Sequence, residues 1–313
     1  MKNAIWFNRL NILALALMPV GFMVRIFGWR FRRRRNSKLK IISIENITGF
    51  DAGRTEIIRE IAKYMNAAVV LGGYGRGRIA RENDPVSEIG AEAKMIAKSG
   101  LEVWVGNKSE SVQSLEIKDQ KVSAVVAAGP VPVKNAVRIL LFDGASAAGN
   151  GLFWPAGPLR RGIVSAVKSA DAVLLAGTPG AGSARILRIA KRKKKPVFFV
   201  RKDFDTDGLF GKYAAFGDGP ELFGALGGIL SVRLVDKIRF PAGRVYNKND
   251  IIKLFRAAKA FEARLITDEK NWVRLPSNIR AKVRFVPVRV GLQPNFYLWL
   301  ERRVAADITG VRI

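Results

Sequence analysis

Residues 40–65 read KIISIENITGFDAGRTEIIREIAKYM. Ile41, Ile42 and Ile44 predict a buried strand, Thr48 to Arg54 a tight loop, and the residues from about Thr55 a helix. A strand that passes through a glycine-containing turn into a helix N-terminus forms an anion cradle. The first N–H groups of the helix lack intrahelical partners and carry the positive end of its dipole. Phosphate is the expected guest. The loop sequence TGFDAGRT approaches the phosphate-loop pattern GxxxxGK[ST]. Gly53 and Thr55 fall at the second glycine and the metal-binding hydroxyl, Arg54 stands at the lysine position, and Asp51 sets a carboxylate among donors meant for phosphate. An ordinary strand-to-helix turn is the competing reading of these residues.

The chain has 313 residues, 49% of them hydrophobic, which is ample for packed cores and suggests two domains. Its 54 basic and 26 acidic residues give a formal charge of +28, which calls for an anionic partner. Nucleic acid, an acidic membrane and a phosphorylated substrate all answer that description. Cysteine is absent, excluding disulfides and thiolate chemistry, and histidine is absent too. Proton transfer therefore falls to carboxylate, lysine, tyrosine or water.

Leu10 to Val24 carries no charge and is bracketed by Arg9 and Arg25. As a helix it rises only about 22 Å, short of the roughly 30 Å hydrocarbon core, so it is expected to lie in one leaflet. Arg30 and Arg32 to Arg35 follow, interleaved with Trp29 and Phe31, a composition suited to an anionic cytoplasmic leaflet. A secretory signal would carry its charge before the apolar run, not after it. The expectation is an N-terminal membrane-associated helix within residues 1–36, at the cytoplasmic face of the membrane.

Downstream, strand-like and helix-like runs alternate, predicting an α/β fold with a parallel sheet. Ala67 to Leu71 leads into GGYGRGR, a basic glycine-rich loop at a strand's carboxyl end. Val137 to Phe142 ends in Asp143, and an acidic residue at a buried strand's tip, downstream of a phosphate loop, is where phosphoryl-transfer folds hold Mg2+. A plain strand-capping aspartate explains the same residue. Gly149 to Gly162, GNGLFWPAGPLRRG, is a rigid basic loop with an apolar tip. The basic run Lys191 to Lys195 is read as a solvated helix end.

In this order the motifs resemble one family, the tetraacyldisaccharide 4'-kinases of Gram-negative lipid A synthesis. IISIENITGFDAGRTE is similar to its IsVGNITvGGTGKTP, Gly72 to Arg76 to its SRGYGR, and Gly149 to Arg161 to its GNgxxlPAGPLRE. Phe216 to Phe223 is similar to FaGIGnPexFF, and TDEKNWVRL, Thr267 to Leu275, to TTEKDaVKL. The resemblance implies a P-loop-NTPase-like parallel-sheet domain over 37–165 and a second, smaller α/β domain over 166–313. It implies an enzyme that moves the γ-phosphate of ATP, with Mg2+, to the 4'-hydroxyl of an anionic glycolipid at the membrane surface, the inner membrane's cytoplasmic face.

On that basis Thr48, Gly49, Gly53, Arg54 and Thr55 would contact nucleotide, and Thr55 and Asp143 the metal. Asp143 and Glu92 would serve in catalysis, and Tyr74, Arg76, Asn150 and Arg160 would meet the glycolipid. Nucleic acid is not an expected partner, since no RNA- or DNA-binding module is recognisable. The sequence departs from the family at several points. Ala127, Ala128 and Gly129 stand at its Asp-Asp-Gly, Ala242 and Gly243 at its Asp-His, Ala91 at the aspartate of its Gly-Asp-Glu, and Phe50 and Asp51 at loop glycines. A relative without turnover, binding anionic lipid or a partner enzyme, is the alternative.

Overall fold

The computed structural model describes residues 36–50, 52–73, 77–118 and 124–309, together with Pro19. The N-terminal segment expected at a membrane surface lies outside these residues, Pro19 apart, as do Asp51, Tyr74 and Arg76. Among the described residues no helix is long and apolar enough to cross a membrane.

In chain order the first half holds β1 (Lys40–Asn46), α1 (Arg54–Tyr64), β2 (Ala68–Gly72), β3 (Arg78–Ala80), α2 (Val86–Ile89), α3 (Ala91–Ala97), β4 (Val103–Gly106), α4 (Lys108–Lys118), β5 (Ala124–Ala128) and β6 (Ala136–Asp143). There follow α5 (Ile163–Ser169), β7 (Ala172–Ala176), α6 (Ser183–Arg192), β8 (Val197–Phe204), β9 (Gly211–Gly217), α7 (Pro220–Gly227) and β10 (Val232–Arg239). The last elements are α8 (Lys248–Ala260), β11 (Arg264–Asp268), α9 (Glu269–Trp272), α10 (Ser277–Arg280), β12 (Val283–Val286), β13 (Val288–Leu292) and α11 (Pro294–Thr309).

Two compact units result, and neither is a continuous stretch. The first comprises 1–79, 100–202 and 290–313, the second 80–99 and 203–289. The boundary expected at 165/166 therefore falls inside the first unit. β7 pairs in parallel with β6, and β8 with β7, so the sheet simply continues past that point.

The first unit is built on a nine-stranded sheet of order β13-β8-β7-β6-β1-β5-β2-β4-β3, parallel from β8 to β4. A parallel strand covered on both faces needs apolar side chains on both, and Ile41, Ile42 and Ile44 of β1 are all fully buried. In α1 the buried Ile57, Ile58, Ile61 and Ala62 recur at helical spacing and form the inward stripe. On one flank Leu140, Phe142, Val173 and Leu175 of β6 and β7 pack with Ile163 and Val167 of α5 and Ile186 and Ile189 of α6. The sheet's outer end is sealed by α11, whose Phe296 and Trp299 meet Phe198 at 5.3 and 5.6 Å between ring centroids.

The second unit has a four-stranded sheet, β10-β9-β11-β12, parallel throughout. Its core includes Tyr213, Ala215, Leu222, Leu226 and Ile266 on one face, and Phe216, Tyr246, Leu254 and Leu265 on the other. Residues 86–97 form two short helices, α2 and α3, divided at Gly90 with φ 81°. β12 and β13 are divided at Pro287, which has no N–H for a ladder.

Candidate functional site

From β1 the chain goes one way to β2 and β4, and later returns on the other side through β6, β7 and β8. The strand order thus reverses at β1, and open α/β sheets hold ligands at the carboxyl ends of strands where this happens. The loop Ile47 to Gly53 leaves β1 at that edge.

Its first part is fixed from within. Asn46 Oδ1 accepts the N–H and the hydroxyl of Thr48, 2.8 Å each, and Asn46 Nδ2 donates to the carbonyl of Phe50 at 2.8 Å. Gly49 N–H donates to the carbonyl of Pro158, and Arg160 N–H to that of Ile47. The donors of Thr48 and Gly49, expected at a nucleotide, are therefore occupied inside the protein and clamp the loop to the Gly149–Gly162 segment. The second part is different. Gly53 is left-handed (φ 69°, ψ 32°), has no side chain to cap the helix, and is followed by Arg54 and Thr55 as the first residues of α1. Those N–H groups begin the helix at the positive end of its dipole, and Thr55 is buried beneath them.

Asp143 ends β6, the parallel neighbour of β1, at the same edge. Its Oδ1 accepts Ser146 N–H at 2.6 Å, and its carbonyl accepts Ala147 N–H. The side chain caps the turn that follows while remaining partly exposed. On the other side of β1, where β5 ends in Ala127 and Ala128, a lysine is found: Lys108 Nζ donates to the carbonyl of Ala128 at 3.0 Å. A cation thus covers the strand end at which the resembling family carries carboxylates.

The Gly149–Gly162 loop is shaped by Asn150, which is 2% exposed. Its Nδ2 donates to Ala156 carbonyl and its Oδ1 accepts Leu152 N–H, both at 3.0 Å. The expected substrate contact is consequently a staple within the loop. Arg161 pairs with Glu45 at 3.2 Å and donates to Ser169 Oγ, whereas the side chain of Arg160 is exposed. The first unit therefore brings together Gly53, Arg54, Thr55, Asp143 and Arg160. Sequence reading missed Lys202, at the end of the first unit's part of β8. A β-carbon placed on Gly53 would lie 3.2 Å from its Cδ and 3.5 Å from its Cε. No motif marks it.

Glu92 belongs to the second unit, in the first turn of α3. That unit has its own polar cluster, formed because β9 and β11 are neighbours and end side by side. Fully buried Asn271 donates from Nδ2 to Asp218 Oδ1 at 3.2 Å and to Asp268 Oδ2 at 2.9 Å, and accepts from Tyr246 Oη at 2.9 Å. Its N–H is capped by Asp268 Oδ1 at 2.7 Å. Asp218 and Asn271 lie in the two late stretches of resemblance, Phe216 to Phe223 and Thr267 to Leu275, which thus interlock in space. Desolvation, and then the charge of Asp268, raises the Tyr246 hydroxyl above its usual range. Among the described residues no group of three or more acidic side chains is placed to hold a metal ion.

Desolvation raises the Asp268 carboxyl above its ordinary 3.8, opposed by the hydrogen bonds from Asn271. The folded chain then holds this proton more tightly than the unfolded chain. The resulting stability is complete below pH 3.8 and is lost as pH rises through the higher folded value. Asp268→Asn is expected to remove that part of the slope. Melting temperatures of the two proteins, followed upward from pH 3.8, should converge or cross, and parallel curves would refute the assignment.

Comparison with known proteins gives the same picture. A family model described as tetraacyldisaccharide-1-P 4'-kinase matches residues 10–305. The chain is 30% identical over 294 residues to the tetraacyldisaccharide 4'-kinase of Parvibaculum lavamentivorans, covering 86% of this chain and 83% of that one. It is 30% identical over 270 residues to that of Phenylobacterium zucineum, covering 81% of each. Among solved structures it resembles LpxK from Aquifex aeolicus in complex with ATP, with a TM-score of 0.66 and 16% identity over 94% of this chain and 99% of that one. The last likeness shows the fold.

Proposed function

Since the chain belongs to the tetraacyldisaccharide-1-P 4'-kinase family, we propose that it transfers the γ-phosphate of ATP to the 4'-hydroxyl of a tetraacyl disaccharide 1-phosphate. The observation that carries this reading is the start of α1, where a left-handed glycine leaves a helix N-terminus without a side-chain cap at the edge where the strand order reverses. Backbone N–H groups at the positive end of a helix dipole, beside the Arg54 guanidinium, fit a phosphate. Thr55 and Asp143 are the residues that would hold Mg2+, a hydroxyl and a carboxylate at the ends of adjacent elements. When bound, nucleotide and metal supply the phosphoryl group and the shielding of its charge.

The chain's own residues bind and orient. Arg54 offers a permanent cation to the phosphates, though its planar fork is bulkier than a lysine's ammonium. Arg160 presents an exposed guanidinium beside the loop for the anionic glycolipid, with Tyr74 and Arg76 assigned to the same partner. Asn150 holds the Gly149–Gly162 loop in shape. With no histidine in the chain, the 4'-hydroxyl proton passes to a carboxylate, for which Asp143 and Glu92 are the candidates.

The direct test is incubation of the full chain with ATP, Mg2+ and tetraacyl disaccharide 1-phosphate. ATP-dependent formation of the 4'-phosphorylated product supports the reading, and its absence at high protein concentration sinks it. The N-terminal segment is assigned to the cytoplasmic face of the inner membrane. Removal of residues 1–35 should release the protein from anionic vesicles in a sedimentation assay, and undiminished binding would refute the anchor.

A further inference from the structure

The phosphate-loop pattern uses a lysine as a compact point charge, and here its position is Arg54. A lysine reaches the same loop from elsewhere. Lys202 is the last residue of β8 that belongs to the first unit, and its stem crosses Gly53, Cδ and Cε lying 3.2 and 3.5 Å from where a β-carbon would stand. Gly53 is the left-handed residue from which α1 starts, so the stem passes the N–H groups expected to meet phosphate. Glu56, in the first turn of α1, brings Oε2 to 3.7 Å from the same point.

We propose that Lys202 is the phosphate-binding lysine of this loop, supplying from β8 the point charge that the loop's own sequence lacks. This rests on the kinase reading of the loop. A four-carbon stem can swing a short distance without moving the backbone. A bound triphosphate carries several negative charges and would draw the ammonium across the helix N-terminus. The absence of a side chain at Gly53 gains a second reason, because a β-carbon there would press on the lysine.

Calorimetric titration of the full chain with ATP and with AMP tests this, using wild type, Lys202→Met, Lys202→Arg, and Lys202→Met combined with Arg54→Lys. Lys202→Met should weaken ATP binding by about tenfold to a hundredfold, the scale of one charge-assisted contact, and AMP binding much less. Thermal unfolding should be unchanged. Lys202→Arg should recover part of the loss, and Arg54→Lys should recover affinity in the Lys202→Met background. Equal ATP affinity in wild type and Lys202→Met overturns the inference, as does a loss shared equally by ATP and AMP or matched by a fall in melting temperature. Failure of wild type itself to take up ATP saturably removes the kinase reading first, and the role of Lys202 with it.

Discussion

Gly157→Ala is expected to destabilise the first unit by about 4 kcal/mol, a large part of the roughly 5–15 kcal/mol that holds a domain folded. A β-carbon at this buried position would lie 2.2 Å from Asn150 Oδ1, 2.5 Å from the Leu152 carbonyl oxygen and 2.8 Å from the Leu152 carbonyl carbon. Two of those atoms are backbone. The third belongs to an amide held at both ends, to Ala156 carbonyl and Leu152 N–H. Relief requires Asn150 to leave, abandoning buried partners at about 1–3 kcal/mol apiece. The same loop holds Gly49 N–H through Pro158 carbonyl, so the damage reaches the anion loop. Urea unfolding of Gly157→Ala against wild type reads the effect, and a loss under about 1 kcal/mol would contradict the packing described.

Thr55→Val is expected to lower kcat/KM for phosphoryl transfer by about a hundredfold or more, the scale of losing one fixed contact to developing charge. Valine keeps the shape of threonine and a similar helix propensity, so the buried environment of residue 55 and the first turn of α1 should survive. Only the hydroxyl goes. Melting temperature should therefore change little while turnover falls, and Thr55→Ser should retain most activity. Turnover in Thr55→Val within about twofold of wild type would remove Thr55 from the metal-binding role.

How much of this could be read beforehand varies with how local each signal is. β1 was legible because a parallel strand buried on both faces writes itself as consecutive isoleucines, and α1 because its apolar residues recur at helical spacing. α4 gave little signal, as Val112 and Leu115 are its only apolar residues in the core. β10 was hidden by Arg233, Asp236, Lys237 and Arg239, tolerable on a strand at the sheet's edge. The division into units was illegible because strand and helix alternate without interruption through Val200, whereas the second unit is assembled from two separated segments.

The site divides in the same way. Gly53, Arg54 and Thr55 could be placed from a pattern carried by adjacent residues. The use of Thr48 and Gly49 donors could not, since one depends on the rotamer of Asn46 and the other on a carbonyl in a distant loop. Asn150 was expected at the glycolipid because it falls within the stretch that resembles the family's GNgxxlPAGPLRE. Only its depth and its two partners reveal a staple. Lys202 belongs to no motif and becomes visible only through the glycine it crosses.

Most of β13 and all of α11 complete the first unit from residues that follow the 203–289 segment in the chain. During synthesis, therefore, β8 leaves the ribosome with an open edge and an uncovered Phe198, and the aromatic seal of Phe296 and Trp299 arrives only after the 203–289 segment has been made. The second unit can close while the first still waits, and the nascent chain depends through that interval on whatever shields an unfinished edge.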